Sequence, residues 1–204
     1  QGGSTPAGQW GAAQPWQYPA VALGPTTADG VPLASWWSRV GAYLIDDLIV
    51  STVSVAAGWK FWADAYEYFL HVVRSAAVSG QQPNQAEMTA ELVRVLWPAM
   101  VIITAVRLVY HVFFLVRFGR TPGKMATGIA VRMMGRPGPL TLLEALKRQA
   151  LWVGIQLAGF VPIVSTVASL VSLANHLWPL WDARRQALHD KVAGTQVVQV
   201  RRPS

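Results

Sequence analysis

Of 204 residues, 52% are hydrophobic and only 13% are charged, about half the charged share of a soluble domain, which excludes an ordinary water-soluble globule and points to lipid. The absence of cysteine excludes thiolate metal sites and disulfide frameworks. A formal charge of +7 invites a nucleic-acid reading, but the cations flank apolar stretches, where membrane topology accounts for them, so no nucleic-acid partner is expected.

Residues 1–34 are rich in Gly, Pro, Ala and Gln, nearly uncharged and without apolar periodicity, and are read as a disordered cytoplasmic tail. Trp10, Trp16 and Tyr18 are taken as incidental aromatics in that tail rather than a docking motif.

A helix needs about 20 apolar residues to cross a ~30 Å hydrocarbon core. Residues 36–59 and 92–116 supply two such spans. A third stretch, 150–181, has no Asp, Glu, Lys or Arg over 32 residues, with Gly159 and Pro162 near its middle. Cations concentrate between the second and third stretches (Arg117, Arg120, Lys124, Arg132, Arg136, Lys147, Arg148) and again after the third (Arg184, Arg185, Lys191, Arg201, Arg202). The segment between the first two spans balances Lys60, Arg74 and Arg94 against Asp64, Glu67, Glu87 and Glu91. Cytoplasmic loops carry the Lys/Arg excess, so the third stretch must enter and leave on one side. The expected fold is therefore all-α: a polytopic transmembrane helical bundle of four crossings, the last two a tight hairpin bent near Pro162. Both termini are then cytoplasmic, at a multi-pass cell membrane; a single long tilted span is the alternative. Trp36, Trp37, Trp59, Trp62, Trp97, Trp152, Trp178 and Trp181 lie near proposed span ends, where indoles favour the interface. Phe61, Ala65, Phe69, Val72 and Val73 fall at helical spacing and suggest a helix lying on the membrane surface.

The first span carries Arg39, Asp46 and Asp47, and the second carries Arg107. A charge at mid-bilayer costs about 2.5–3.5 kcal/mol on the insertion scale and requires compensation. Counted from the span ends, Asp46 and Arg107 both lie roughly 15 Å deep, so an Arg107–aspartate ion pair is available. Successive helical residues diverge by about 100°, so the two aspartates cannot both face Arg107; the leftover one needs a polar cavity, hydrogen-bond donors or a proton. Arg39 can snorkel to the headgroups. These four residues are the candidates for proton or ion handling, set against a purely structural ion pair that fixes helix packing.

After the second span, the GRTPGK segment of residues 119–124 resembles a phosphate-binding loop, but its glycines stand one residue too close and Met125 occupies the Mg²⁺-binding Ser/Thr position, so nucleotide binding is rejected. Residues 128–134 have strand character, Thr141 and Glu144 form a capping-box pattern, and residues 195–200 make a second strand that can pair with the first in a small cytoplasmic β-like element. His189 and Asp190 stand alone, without a nucleophile, a second histidine or a metal-ligand cluster. No catalytic residue, metal or cofactor is expected, and an enzyme is not.

Three blocks together resemble the RDD family of bacterial membrane proteins: RVGAYLIDDLI, GRTPGKMATGIAVR followed by LTLLEALKRQ, and WDARRQALHDKVAGTQVV. The family is named for an arginine and two aspartates. Arg39 and Asp46 match the first two, and the second aspartate is Asp190 or Asp47. The motif residues outside the spans are Gly119, Thr121, Pro122, Gly123 and Lys124, with Arg185, Gln186, His189 and Asp190. The resemblance implies a compact membrane domain over residues 35–200, followed by a basic end at 201–204. It implies that some members exchange monovalent cations for protons; with the buried charges, the expectation is a transport-related role in which Asp46 carries a proton or cation, Arg107 sets its proton affinity, and Arg39 guides ions or anchors the helix. The rival is a non-catalytic accessory or scaffolding subunit. The expected partners are the bilayer and either further copies of the chain or a larger membrane protein.

Overall fold

The computed structural model describes residues 24–158 and 162–200. The tail aromatics, residues 159–161 just before the expected bend at Pro162, and the basic end at 201–204 lie outside them. The described chain is mostly helical. In order come α1 (Trp36–Ala57), α2 (Trp59–Ser79), α3 (Gln85–Phe118), α4 (Pro122–Ala126), β1 (Ile129–Met133), α5 (Leu142–Ala158), α6 (Pro162–Leu177), a 3₁₀ turn (Trp178–Leu180), α7 (Leu188–Ala193) and β2 (Thr195–Gln199).

Local chemistry sets these boundaries. Ser35 caps α1 by accepting from Ser38 N, and Asn84 caps α3 by accepting from Ala86 N. Gly119 ends α3 with φ 67°, a left-handed conformation natural to glycine. Pro122 opens α4, where its missing N–H costs nothing.

The 34 residues of α3 reach roughly 51 Å at 1.5 Å each. Both α1 and α2 pack against it, joined at Gly58, where an added Cβ would lie 3.2 Å from Ser54 O. The expected amphipathic segment after the first span is thus one helix, α2, docked on α3. Helices α5 and α6 pack on each other, and residues from both meet α7: Arg148 reaches Asp190, and Asn175 reaches His189. The 150–181 stretch is therefore two helices packed on each other rather than one continuous helix.

Strands β1 and β2 pair antiparallel, from Ile129 opposite Gln199 to Met133 opposite Thr195. Residues 32–34 line the other edge of β2: Gln199 N donates to Pro32 O (2.9 Å) and Ala34 N to Val197 O (3.0 Å). The part of the expected tail from residue 24 to 34 is therefore folded; Val31, Leu33 and Ala34 are buried, and Asp29 pairs with buried Arg132. That pairing, followed by the hydrogen bond from Thr27, holds the Asp29 carboxyl at about 2. The apolar alternation of this short run is too brief to stand out among Gly and Pro. Ala34, Ala42, Leu115, Ile129, Val131, Leu140, Ala145 and Val197 form one core that joins the sheet to α1, α3 and α5.

Polarity is inverted relative to a water-soluble fold. Leu44 and Leu48 on α1 are 62% and 69% exposed, while Asp46 is 1% exposed. Two helices, α1 and α3, are long and apolar enough to cross a membrane, and only 22% and 11% of their most apolar windows are buried. A soluble protein's core helix would be mostly buried; these present apolar side chains outward and charge inward, as lipid requires.

Candidate functional site

Asp46 points from the middle of α1 at the turn that follows α3. Its Oδ1 accepts from Tyr110 Oη (2.7 Å) and Gly123 N (2.8 Å). Its Oδ2 accepts from Thr121 Oγ1 and Lys124 Nζ, the latter at 3.4 Å. A carboxylate offers about four acceptor sites, and all are taken. The Thr-Pro-Gly-Lys turn is thus built around this carboxylate: Thr121 is fully buried, and a Cβ on Gly123 would sit 2.3 Å from Ala42 O and 2.8 Å from Asp46 Cγ. Only glycine permits that approach. Burial lowers the Lys124 ammonium from its usual range, and Asp46 opposes the shift.

Asp190 is the second such centre. Its Oδ2 accepts from Arg39 Nη1 (3.0 Å) and Ala187 N (3.0 Å); its Oδ1 accepts from Arg148 Nη1 and Thr195 Oγ1 (3.1 Å). Asp190 is fully buried. Desolvation alone would raise its carboxyl, but the Arg148 guanidinium, and Arg39 with it, hold it far below the ordinary carboxylate range. His189 Nε2 lies 2.9 Å from Arg148 Nη2, and Nδ1 lies 2.8 Å from Asn175 Oδ1. Guanidinium only donates, so Nε2 accepts and Nδ1–H donates to Asn175. Burial, then Arg148, pushes this imidazole down to about 3, and it is neutral.

Asp47 makes the third pair, with Arg107 Nη1 at 3.0 Å. Arg107 also lies over the rings of Trp152 (5.0 Å) and Tyr43 (5.7 Å). Three expectations are corrected here. Arg107 neutralises Asp47 and not Asp46, because the two carboxylates leave α1 about 100° apart. Arg39 does not snorkel outward; it spans 151 positions in sequence to reach Asp190. Trp152, assigned to a span end, lies under Arg107. Of the remaining motif residues, Gly119 ends α3, Pro122 starts α4, and Gln186 is buried and donates to Thr195 O (2.7 Å). Arg185, with φ 48°, sits in the turn before α7 and joins neither aspartate.

Sequence reasoning missed Tyr110, Arg148, Asn175 and Thr195. Arg148 was counted among loop cations, although its neighbours Ala145 and Gln149 mark a buried helix face; Tyr110 gave no signal inside an apolar run.

Between the two carboxylate centres lies a cavity of about 110 Å³ lined by Arg39, Asp46, Lys124, Arg148 and His189 among others. A second, of about 120 Å³, shares Tyr43, His111, Lys124, Arg148 and His189 with it and extends to Arg107 and Trp152. The two adjoin through these shared residues and make a partly open chamber among α1, α3, α5 and α6, in which charged side chains stand within a mostly apolar surface. Among the described residues no cluster of His, Asp and Glu suited to a metal ion occurs.

Outward-facing apolar helices around a charged interior define a helical integral membrane protein. The profile of the RDD family matches residues 33–194, most of the chain, with Asp46, Asp47 and Asp190 among them. The chain belongs to the RDD family. No curated protein and no solved structure matches it.

Proposed function

We propose that this RDD protein has a transport-related role at the cell membrane and holds a small ionic solute in the chamber between α1, α3 and the α5–α6 hairpin. The observation that carries this reading is the chamber itself: two adjoining cavities that share ionisable lining residues inside an apolar bundle, since ionisable groups within a membrane bundle usually mark an ion or substrate pathway. The Lys/Arg-rich segments that form α4, β1, α7 and β2 would face the cytoplasm with both termini, and the bundle would cross four times. Cation/proton exchange through Asp46 is the weaker form of the reading, since that carboxylate would first have to release four donors.

The test is flux into vesicles reconstituted with the full chain, read with ion-selective and pH dyes against protein-free vesicles. Transport above background supports the reading; none for any small ion offered to correctly folded protein contradicts it. One observation favours an accessory subunit instead: α2 leaves Tyr66, Phe69, Val73 and Val78 exposed, Val78 at 90%. Gentle extraction that recovers a stoichiometric larger membrane protein would support that alternative, and a homo-oligomer would not.

A further inference from the structure

The chamber carries a surplus of positive charge. Arg39, Lys124 and Arg148 project toward it, and the carboxylates paired with them are Asp46 and Asp190. Three cations thus face two anions. His189 is neutral by its hydrogen bonds, and the Arg107–Asp47 pair cancels itself. Among the described residues lining either cavity, Asp46 is the one acid, and its acceptor sites are filled. A cation entering this space would meet repulsion and no free oxygen ligand from a carboxylate.

Arg39 adds a specific geometry. Nη1 is committed to Asp190, while Nε and Nη2 are buried without a hydrogen-bond partner. These two nitrogens form the side edge of the guanidinium, with N–H bonds pointing the same way, the fork that grips two oxygens of one oxyanion. A buried donor left unmatched costs about 1–3 kcal/mol, and Arg39 is among the residues that line the smaller cavity, so this edge is suited to an acceptor that the side chain turns to meet. A cavity of about 110 Å³ exceeds the roughly 30 Å³ share of one water several-fold.

We propose that the chamber is an oxyanion site, in which the Nε/Nη2 edge of Arg39 grips a phosphate-type group whose charge is balanced by Lys124 and Arg148. This rests on the chamber being a ligand site, as in the proposed function, but not on any transport. Two sources share the chemistry: free phosphate, and the headgroup of an anionic phospholipid entering from the bilayer.

The experiment is calorimetric titration of delipidated, detergent-purified full chain with inorganic phosphate, at constant ionic strength set by chloride, alongside native mass spectrometry of protein extracted with its lipids. Expected is saturable phosphate binding, or a retained anionic phospholipid, lost at least tenfold in Arg39→Lys. That variant keeps a charge for Asp190 but lacks the fork. His111→Phe, which narrows the chamber without touching either carboxylate, should weaken binding as well and covers the case in which Arg39→Lys fails to fold. Phosphate binding identifies a soluble ligand and phospholipid retention a headgroup; either supports the site. Binding of neither by wild type overturns it, as does undiminished binding by both variants, or a sodium or potassium titration that saturates instead. Oxyanion binding without flux leaves this inference standing and removes the transport reading; cation flux without oxyanion binding does the reverse.

Discussion

Replacing Gly123 with alanine adds one methyl where α4 lies against α1 with no room for it. Its Cβ would lie 2.3 Å from Ala42 O and 2.8 Å from both Cγ and Oδ1 of Asp46. Ordinary contact begins near 3.4 Å, and the first obstacle is helix backbone that cannot rotate away. The turn must therefore retreat from α1 by about 1 Å. The Gly123 N–Asp46 contact of 2.8 Å would then stretch beyond hydrogen-bond range, and the Thr121 contact would weaken with it. Each hydrogen bond to a charged group contributes about 1.5–3 kcal/mol, so the expected loss is about 3–5 kcal/mol, comparable to breaking a buried ion pair. For a domain stable by about 5–15 kcal/mol that is severe. The assay is the unfolding midpoint of detergent-purified protein, followed by tryptophan fluorescence, with Gly154→Ala as control. Gly154 has nothing within 4 Å of an added Cβ, so that variant should stay within about 1 kcal/mol of wild type. If Gly123→Ala also stays within 0.5 kcal/mol or so, the cradle described here does not hold Asp46.

Asp46→Asn keeps the shape but sets an amide group among four donors and strips Lys124 of its counter-charge; a loss of about 3–5 kcal/mol is expected, read as the same midpoint shift. Arg107→Met should cost about as much as Arg148→Met, because the 39% of Asp47 left exposed meets lipid rather than water, while Asp190 is fully buried; comparing the two denaturation curves tests this. Asp29→Asn should loosen residues 24–34 from the sheet, seen as faster proteolysis within that segment while the helices stay protected. His189 gives a pH signature. Its folded value of about 3 lies below the usual imidazole value, so the unfolded chain binds the extra proton first and stability falls as pH drops below about 6.5, by about 2 kcal/mol at pH 5. His189→Gln should flatten that slope between pH 7 and 5.

The helices and the antiparallel strand pair were legible because apolar run length and positive-inside charge act locally along the chain. The depth match of Arg107 with the tandem aspartates was legible too, since helical rise alone fixes it. The choice between Asp46 and Asp47 was not: it depends on which face of α1 meets the turn after α3, a tertiary fact. For the same reason Thr-Pro-Gly-Lys read only as a turn that fails the phosphate-loop spacing, when its glycine is needed for contact with another helix. Arg148 shows the opposite failure, because a cation near a span end looks like a topology signal until the fold brings Asp190 to it. Residues 24–34 were hidden by composition, since three residues suffice to add an edge to β2 and no periodicity can be read from three.

That buried carboxylates fasten the membrane helices to the sheet-bearing block is tested most directly by a double-mutant cycle on Arg148 and Asp190. Arg148→Met and Asp190→Leu are measured singly and together by unfolding midpoint and slope. Each single change should strand a buried charge and destabilise strongly, whereas the double variant should lose less than the two losses summed, for a coupling above about 2 kcal/mol, although Arg39 still lacks Asp190 in it. Losses that simply add, within about 0.5 kcal/mol, would contradict it.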